Sequence, residues 1–191
     1  MPDQVPQEIR EERNHRLLEL VNEVLDVSRI ESGRLELALV PLALGPVVAE
    51  SLPLLAAKAE AMGVALIDQT AGIGACEVVG DRLRLKEVLI NLLSNAVKYN
   101  VPGGRVTIRA RSEGPHVLLE VEDTGSGLSA AQLANLFQPF NRLGAEASGI
   151  EGSGMGLFVS RRFIDLMGGA IDVESSPGVG TTVKVRLNAA L

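Results

Sequence analysis

Two periodicities of hydrophobic and polar positions divide this chain into two regions. Over residues 7–30 the apolar positions recur every three or four residues, opposite a polar and charged side, which predicts one long amphipathic helix. A lone helix of this type must bury its apolar stripe on something, so a helical bundle or a dimer seam is expected. Gly33 is placed to end the helix. The stripe includes Leu17, Leu20, Val24 and Val27.

After Gly33, short segments with a period of two residues are interleaved with helical segments. Strands are predicted at 34–40, 64–67, 76–79, 105–111, 116–122, 170–174 and 181–187, and helices at 47–62, 82–99, 130–136 and 157–167. This order predicts an α+β fold, a two-layer sandwich in which helices cover one face of a mixed sheet. We therefore expect one bundle helix within 1–33 and a globular domain at 34–191.

Composition narrows the classes of function. Apolar residues make up 46% of the 191 residues and aromatic residues only 3%, so the core is expected to be aliphatic. A net charge of −6, with no cluster of Lys and Arg, argues against a nucleic-acid surface. The single cysteine, Cys76, excludes an internal disulfide and a multi-cysteine metal site, and it fits a reducing cytoplasm. No membrane segment and no signal peptide are expected.

The helix predicted at 82–99 carries a polar stripe through its apolar positions. Its members lie three or four residues apart and therefore share one face: Arg84, Glu87, Asn91, Asn95 and Lys98. An ordinary solvated face is the alternative, but such faces usually carry Lys and Glu, and asparagine is a poor helix former. Two carboxamides one turn apart suit a hard cation such as Mg²⁺, and Lys98 suits a phosphate.

A second candidate is the end of the strand predicted at 116–122. Asp123 continues the apolar side of that strand, where a carboxylate is costly without a hydrogen-bond donor. An ordinary glycine turn would explain the following Thr-Gly-Ser-Gly. The functional alternative is that Asp123 accepts a hydrogen bond from an adenine amino group, while Gly125 and Gly127 let the backbone pass close to the ligand.

A third candidate is Gly152-Ser-Gly-Met-Gly156, which leads into a predicted helix. Free N–H groups at a helix N-terminus form a good anion site. Dinucleotide-binding and P-loop motifs do not fit, because no strand precedes Gly152 and no Gly-Lys-Ser/Thr occurs. Phe137 and Phe140 are interpreted as packing residues. Arg142 lies close enough in sequence to the glycines to reach a phosphate.

In this order, these segments resemble the catalytic domain of sensor histidine kinases, a Bergerat-type ATP-binding fold of the wider GHKL ATPase group. The matching motifs are Asn91-Leu-Leu-Ser-Asn-Ala-Val-Lys-Tyr99 (N box), Asp123-Thr-Gly-Ser-Gly127 (first glycine box), Phe137-Gln-Pro-Phe140 (F box) and Gly152-Ser-Gly-Met-Gly-Leu157 (second glycine box). Gly178-Val-Gly-Thr-Thr182 resembles the turn before the closing strand. Leu25-Asp-Val-Ser-Arg-Ile-Glu-Ser-Gly33 resembles the end of the second dimerisation helix.

The resemblance implies ATP and Mg²⁺ as ligands. Asn95, supported by Asn91, is expected to hold the metal, while Lys98 and Arg142 contact phosphate oxygens. Tyr99 is expected to pack against the nucleotide, and Asp123 to bind the adenine amino group. Residues from about 141 to 156 are expected to form a lid over ATP. The glycines and leucine of the two glycine boxes complete the nucleotide contacts: Gly125, Gly127, Gly152, Gly154, Gly156 and Leu157.

The implied reaction is transfer of the γ-phosphoryl group of ATP to a histidine, for relay to a response regulator. Some relatives have an acidic residue at the position of Asn91 that activates water, so asparagine favours transfer over hydrolysis. Glu87, where these kinases often have glutamine, is a secondary catalytic candidate without an assigned role. His15 and His116 lack the phosphoacceptor pattern, so the accepting histidine and its dimerisation helix are expected outside this chain.

Other functions remain open from sequence. One is a degenerate module that binds nucleotide or a partner without transfer. Another is an ATPase or serine kinase of the same fold, such as an anti-sigma factor, against which the dimerisation-helix motif argues. The parent protein is expected to be a homodimer in or facing the cytoplasm.

Overall fold

The computed structural model describes residues 18, 21–22, 24–30, 32–71, 77–143 and 152–190, which form two compact units, Met1–Glu36 and Leu37–Leu191. In the first unit, helix α1 is continuous over 24–30, and in the turn after it Gly33 has φ 64° and donates its N–H to the Ile30 carbonyl at 3.0 Å. Gly33 thus has the left-handed conformation of a helix C-terminus. Among the described residues of this unit, four apolar side chains are exposed: Leu18, Val21, Val24 and Leu25.

The second unit contains one five-stranded sheet and a separate two-stranded sheet. The strands are β1 (Val40–Ala43), β2 (Ala65–Gln69), β3 (Glu77–Gly80), β4 (Arg105–Glu113), β5 (His116–Asp123), β6 (Ala170–Ser176) and β7 (Gly180–Asn188). The large sheet has the order β2-β4-β5-β7-β6; β2 and β4 are parallel, and the other pairs are antiparallel. Strands β1 and β3 pair with each other. The mixed sheet predicted from sequence is confirmed.

Four helices accompany the sheets: α2 (Leu44–Ala61), α3 (Arg82–Lys98), α4 (Ala130–Ala134) and α5 (Gly156–Leu166). The core between the helices and the large sheet is aliphatic apart from Phe163, as the low aromatic content predicts. The other face of the sheet carries cross-strand ion pairs: Arg109–Glu122, Arg111–Glu120, Lys184–Glu174 and Arg186–Asp172. This face of the sheet is therefore largely charged, as an antiparallel sheet with helices on one side allows.

Several predicted boundaries differ from the structure. The strand predicted at 34–40 is wrong except for its last residue, because β1 begins at Val40 and pairs in the small sheet. Helix α2 begins at Leu44, earlier than predicted, since Pro46 lies in the first turn, where a missing N–H breaks no helical hydrogen bond. Cys76 and His15 lie outside the described residues. No helix in the described part of the chain is long and apolar enough to cross a membrane.

Asp81 fixes the start of α3, the helix that carries the two candidate asparagines. Its Oδ1 accepts the N–H groups of Leu83 and Arg84 at 3.0 and 3.2 Å, and its Oδ2 accepts the N–H of Ala38 at 3.0 Å. One carboxylate therefore caps the helix and holds the chain that enters β1.

We expect Asp81→Ala to lower the free energy of unfolding by about 1–3 kcal/mol, because three backbone donors lose their charged acceptor. Urea denaturation followed by circular dichroism measures this change. The control is Asp172→Ala, whose exposed ion pair with Arg186 spans 4.0 Å and should contribute little. Equal effects of the two substitutions would contradict the capping role.

Candidate functional site

The C-terminal half of α3 forms one wall of the candidate site. Leu92, Leu93, Ala96 and Val97 face the core and are at most 5% exposed. Asn91, Asn95 and Lys98 are half-buried on another side of the same helix. Packing of the apolar side thus fixes the direction in which the polar side chains project, as the shared face predicted from sequence requires.

Asn91 connects this wall to α5. Its Nδ2 lies 3.5 Å from the Gly156 carbonyl oxygen and 3.4 Å from Ser160 Oγ. A carbonyl oxygen can only accept, so the amide nitrogen of Asn91 faces α5. Its oxygen remains an acceptor for another group. The side chain of Asn95, one turn further along, makes no hydrogen bond to any residue that the structure describes.

The second glycine segment, residues 152–156, lies beside the end of α3. A Cβ placed on Gly152 would be 4.0 Å from Lys98 Nζ. The segment also contacts the F box, because a Cβ on Gly154 would lie 2.9 Å from the Phe140 carbonyl carbon and 3.2 Å from Arg142 Cγ. Gly154 has φ 74°, which glycine adopts readily. Lys98, Arg142 and these glycines therefore meet at the start of α5, whose first turn includes the half-buried Leu157.

The first glycine segment, residues 123–127, packs against the same end of α3. Ser126 donates its N–H to the Tyr99 carbonyl at 3.2 Å. A Cβ on Gly125 would lie only 2.3 Å from that carbonyl oxygen, so no larger residue fits there without movement. Gly127, with φ 66°, is equally confined, because its Cβ would lie 1.9 Å from the Ser176 carbonyl oxygen.

Asp123 ends β5 and faces Thr181 on the neighbouring strand β7. Its Oδ1 accepts the N–H of Gly125 at 2.8 Å. Burial raises the pKa of this carboxyl group, while backbone N–H donors from Gly125 and Thr181 act in the opposite direction. The result is a half-buried acceptor with backbone support, positioned at the edge of the first glycine segment.

Glu87, the secondary catalytic candidate, has a structural partner. Glu87 pairs with Arg84 at 2.9 Å, and the Arg84 guanidinium lies 4.8 Å from the centroid of the Phe163 ring.

The packing interpretation of Phe140 is wrong, since this side chain is 63% exposed. Phe137 is half-buried and contacts Arg161, whose guanidinium carbon is 4.7 Å from the ring centroid. The middle of the predicted lid, residues 144–151, lies outside the described residues.

The structure thus places the polar face of α3, both glycine segments, Arg142 and Asp123 around one helix end. Residues 80–191 match the family model described as histidine kinase-, DNA gyrase B-, and HSP90-like ATPase. The chain belongs to this ATPase family. Membership implies ATP binding and confirms the family indicated by the four sequence motifs.

Relatives of this ATPase domain are sensor histidine kinases. The virulence sensor protein BvgS of Bordetella bronchiseptica is 39% identical over 195 residues, which cover the whole of this chain and 16% of BvgS. The histidine kinase AdeS of Acinetobacter baumannii has the same fold, with a TM-score of 0.82 at 22% identity, covering 100% of this chain and 87% of AdeS. The structure of full-length ShkA in complex with AMPPNP matches with a TM-score of 0.78 at 26% identity. The match covers 98% of this chain and 41% of ShkA.

Sequence reasoning missed two hydroxyl groups near this site, those of Ser160 and Thr181. Ser160 is fully buried and contacts Asn91. Thr181 begins a strand predicted at 181–187, but the local pattern does not give the register that places it opposite Asp123. Neither contact can be deduced from local periodicity, because each joins elements that are distant in sequence.

Proposed function

We propose that this chain is the catalytic module of a sensor histidine kinase, which transfers the γ-phosphoryl group of Mg-ATP to a histidine supplied from outside the chain. One observation supports the proposal above all others: both glycine segments contact the end of the helix that carries Asn91, Asn95 and Lys98. A nucleotide lying along that helix end would meet a base-binding acceptor on one side and phosphate-binding donors on the other.

The base is proposed to bind at the first glycine segment. The Asp123 carboxylate is an acceptor, and the amino group of adenine is a donor. Gly125 keeps the backbone of this segment close to the end of α3, at the Tyr99 carbonyl oxygen, and Gly127 keeps it close to β6, at the Ser176 carbonyl oxygen. Tyr99, at the C-terminal end of α3, would contact the nucleotide between base and phosphates.

The phosphates are proposed to bind between Lys98, Arg142 and the start of α5. The N-terminus of this helix, with the glycines before it, provides backbone N–H groups and the positive end of the helix dipole. The ammonium group of Lys98 lies against Gly152, so it would reach the same phosphates. In this proposal the glycines before α5 let the backbone N–H groups approach the phosphates, while Lys98 and Arg142 supply the positive charge.

Asn91 and Asn95 fit a magnesium ion by the chemistry of their donors. The amide nitrogen of Asn91 faces α5, which leaves its oxygen as a possible ligand, and Mg²⁺ prefers oxygen ligands. Oxygens of the bound phosphates would complete the coordination, since Mg²⁺ is commonly held by few protein ligands together with substrate phosphates. Mg²⁺ bound there would neutralise charge on the phosphates.

In the proposed reaction a neutral imidazole nitrogen attacks the γ-phosphorus. The bond from phosphorus to the bridging oxygen breaks, a phosphorus–nitrogen bond forms, and ADP leaves with the bonding electron pair. Imidazole is already nucleophilic, so the module needs to supply positioning and positive charge rather than a strong base. Glu87 is engaged by Arg84, which favours a structural role for it.

The partners of the module follow from the same proposal. The accepting histidine would lie on a dimerisation domain, and a response regulator would receive the phosphoryl group. Residues 1–33 are proposed to contribute the second helix of that dimerisation domain, because the described part of this helix has four exposed apolar side chains that need a partner. The parent protein is then a homodimer whose kinase module works in the cytoplasm.

The test combines this chain, Mg-ATP labelled at the γ-phosphate and a separate histidine-bearing dimerisation domain. We expect an acid-labile, base-stable phosphohistidine on that domain. Binding of ATP without any phosphohistidine would instead support a nucleotide-binding module without transfer, and label on a serine of a partner would support a serine kinase.

Asn95→Ala tests the metal assignment within this proposal. We expect the affinity for Mg-ATP to fall at least about tenfold, because a charge-assisted contact contributes roughly 1.5–3 kcal/mol, while the melting temperature stays near wild type. Calorimetric titration with and without Mg²⁺ measures the change. Asn135→Ala, at the C-terminal end of α4, is the matched control. An unchanged affinity for Mg-ATP in Asn95→Ala would exclude Asn95 as a metal ligand.

A further inference from the structure

Ser175, near the end of β6, has three polar partners although no sequence motif marked it. Its Oγ accepts the N–H of Leu128 at 2.8 Å, lies 2.8 Å from the Gly180 carbonyl oxygen, and lies 2.9 Å from Thr181 Oγ1. The side chain is half-buried. These contacts join the residue after the first glycine segment to the first two residues of β7.

The direction of each hydrogen bond follows from counting protons. A hydroxyl group has one proton and two acceptor sites. The Gly180 carbonyl can only accept, so Ser175 donates its proton there. The N–H of Leu128 occupies one acceptor site, and the remaining site of Ser175 faces Thr181. Thr181 therefore donates its own proton to Ser175, and only lone pairs of Thr181 Oγ1 remain for other groups.

Thr181 lies directly opposite Asp123 in the antiparallel pair of β5 and β7. Side chains that are directly opposite in such a pair project from the same face of the sheet. The acceptor sites of Thr181 and of the Asp123 carboxylate are therefore neighbours at the proposed base-binding position. Two adjacent acceptors favour a base edge that offers a donor.

We propose that Ser175 is a positioning residue for base selection, which keeps the Thr181 hydroxyl as an acceptor so that the site prefers adenine to guanine. Adenine carries an amino donor at the position where guanine carries a keto acceptor. This inference rests on the proposed function, because it assumes that the nucleotide base lies beside Asp123. It adds a residue from β6 that touches neither ATP nor metal.

The experiment measures the affinity of the 191-residue chain for ADP and GDP by calorimetric titration. In Ser175→Ala the Thr181 proton is released and can face the base. We expect the ADP-to-GDP preference to fall about fivefold or more, mainly through weaker ADP binding, as for the loss of one neutral hydrogen bond. Ser175→Thr retains the hydroxyl and should retain the preference. The neighbouring exposed Ser176→Ala is the matched control and should bind like wild type.

A double-mutant cycle separates this role from a general structural one. Thr181→Val should lower the preference as Ser175→Ala does, and the double variant should be no worse than Thr181→Val alone. An unchanged preference in Ser175→Ala, or additive losses in the double variant, would overturn the inference. A wild-type chain that binds neither nucleotide would refute the proposed function itself. If Ser175→Ala does not fold, Thr181→Val and Ser175→Thr are compared instead. The inference then requires a reduced ADP-to-GDP preference in Thr181→Val and a wild-type preference in Ser175→Thr. A wild-type preference in Thr181→Val overturns it.

Discussion

Replacing Gly127 with alanine is expected to lower the free energy of unfolding by about 2–4 kcal/mol and to weaken ATP binding at least tenfold. Two costs combine at this position. Its φ of 66° is unfavourable for alanine, and the new methyl carbon would lie 1.9 Å from the Ser176 carbonyl oxygen. The backbone of the first glycine segment must move to relieve that overlap, and the proposed base site moves with it. Urea denaturation and calorimetric titration with ATP measure the two effects.

Gly178→Ala is the matched control for this prediction. Gly178 also has a left-handed backbone, with φ 75°, but a Cβ there meets nothing within 4 Å. Only the conformational cost of about 1–2 kcal/mol should appear, with no loss of ATP affinity. If the two substitutions had equal effects, the close approach of the first glycine segment to β6 would not matter for stability or binding.

Replacing Asp123 with asparagine is expected to reduce ATP affinity about 10–100-fold, because one carboxylate oxygen becomes an amino donor that opposes the amino group of adenine. Stability should change little or rise slightly. Burial raises the pKa of Asp123, so folding disfavours its charged form, and the neutral asparagine does not have this cost. Loss of affinity without loss of stability distinguishes a binding residue from a structural one. Asp172→Asn, exposed on β6, is the control.

The same carboxyl group should make ATP binding depend on pH. Because the pKa of Asp123 is raised above 3.8, its protonation and the loss of ATP affinity should begin at a higher pH than for an ordinary aspartate. Because the pKa of Asp123 is higher in the folded state than in the unfolded state, the folded state binds the proton more tightly. The free energy of unfolding should therefore rise as the pH falls through the folded-state pKa of Asp123. Asp123→Asn should lack this part of the pH profile of affinity. A wild-type profile in the variant would assign the dependence to another group.

Local patterns in the sequence predicted much of this fold. The boundaries of α3 and β5 were correct to within one residue, because the apolar period is strong and Asp81 and Gly125 lie at their ends. Prediction failed around β1 and the start of α2, where the local apolar run is compatible with both strand and helix. Pairing of β1 with β3, rather than with the large sheet, depends on contacts that no local period encodes.

The sequence by itself predicted which residues have the chemistry for nucleotide binding, and it determined that Asn91, Asn95 and Lys98 lie on one helix. A period of 3.6 residues places Asn91, Asn95 and Lys98 on one face without knowledge of any partner. Tertiary structure alone decided that two separate glycine segments meet the same end of α3, and that Thr181 lies opposite Asp123 with its hydroxyl in contact with Ser175. The physical reason is that hydrophobic periodicity specifies which side of an element is buried, whereas strand register and close backbone contact specify its neighbours.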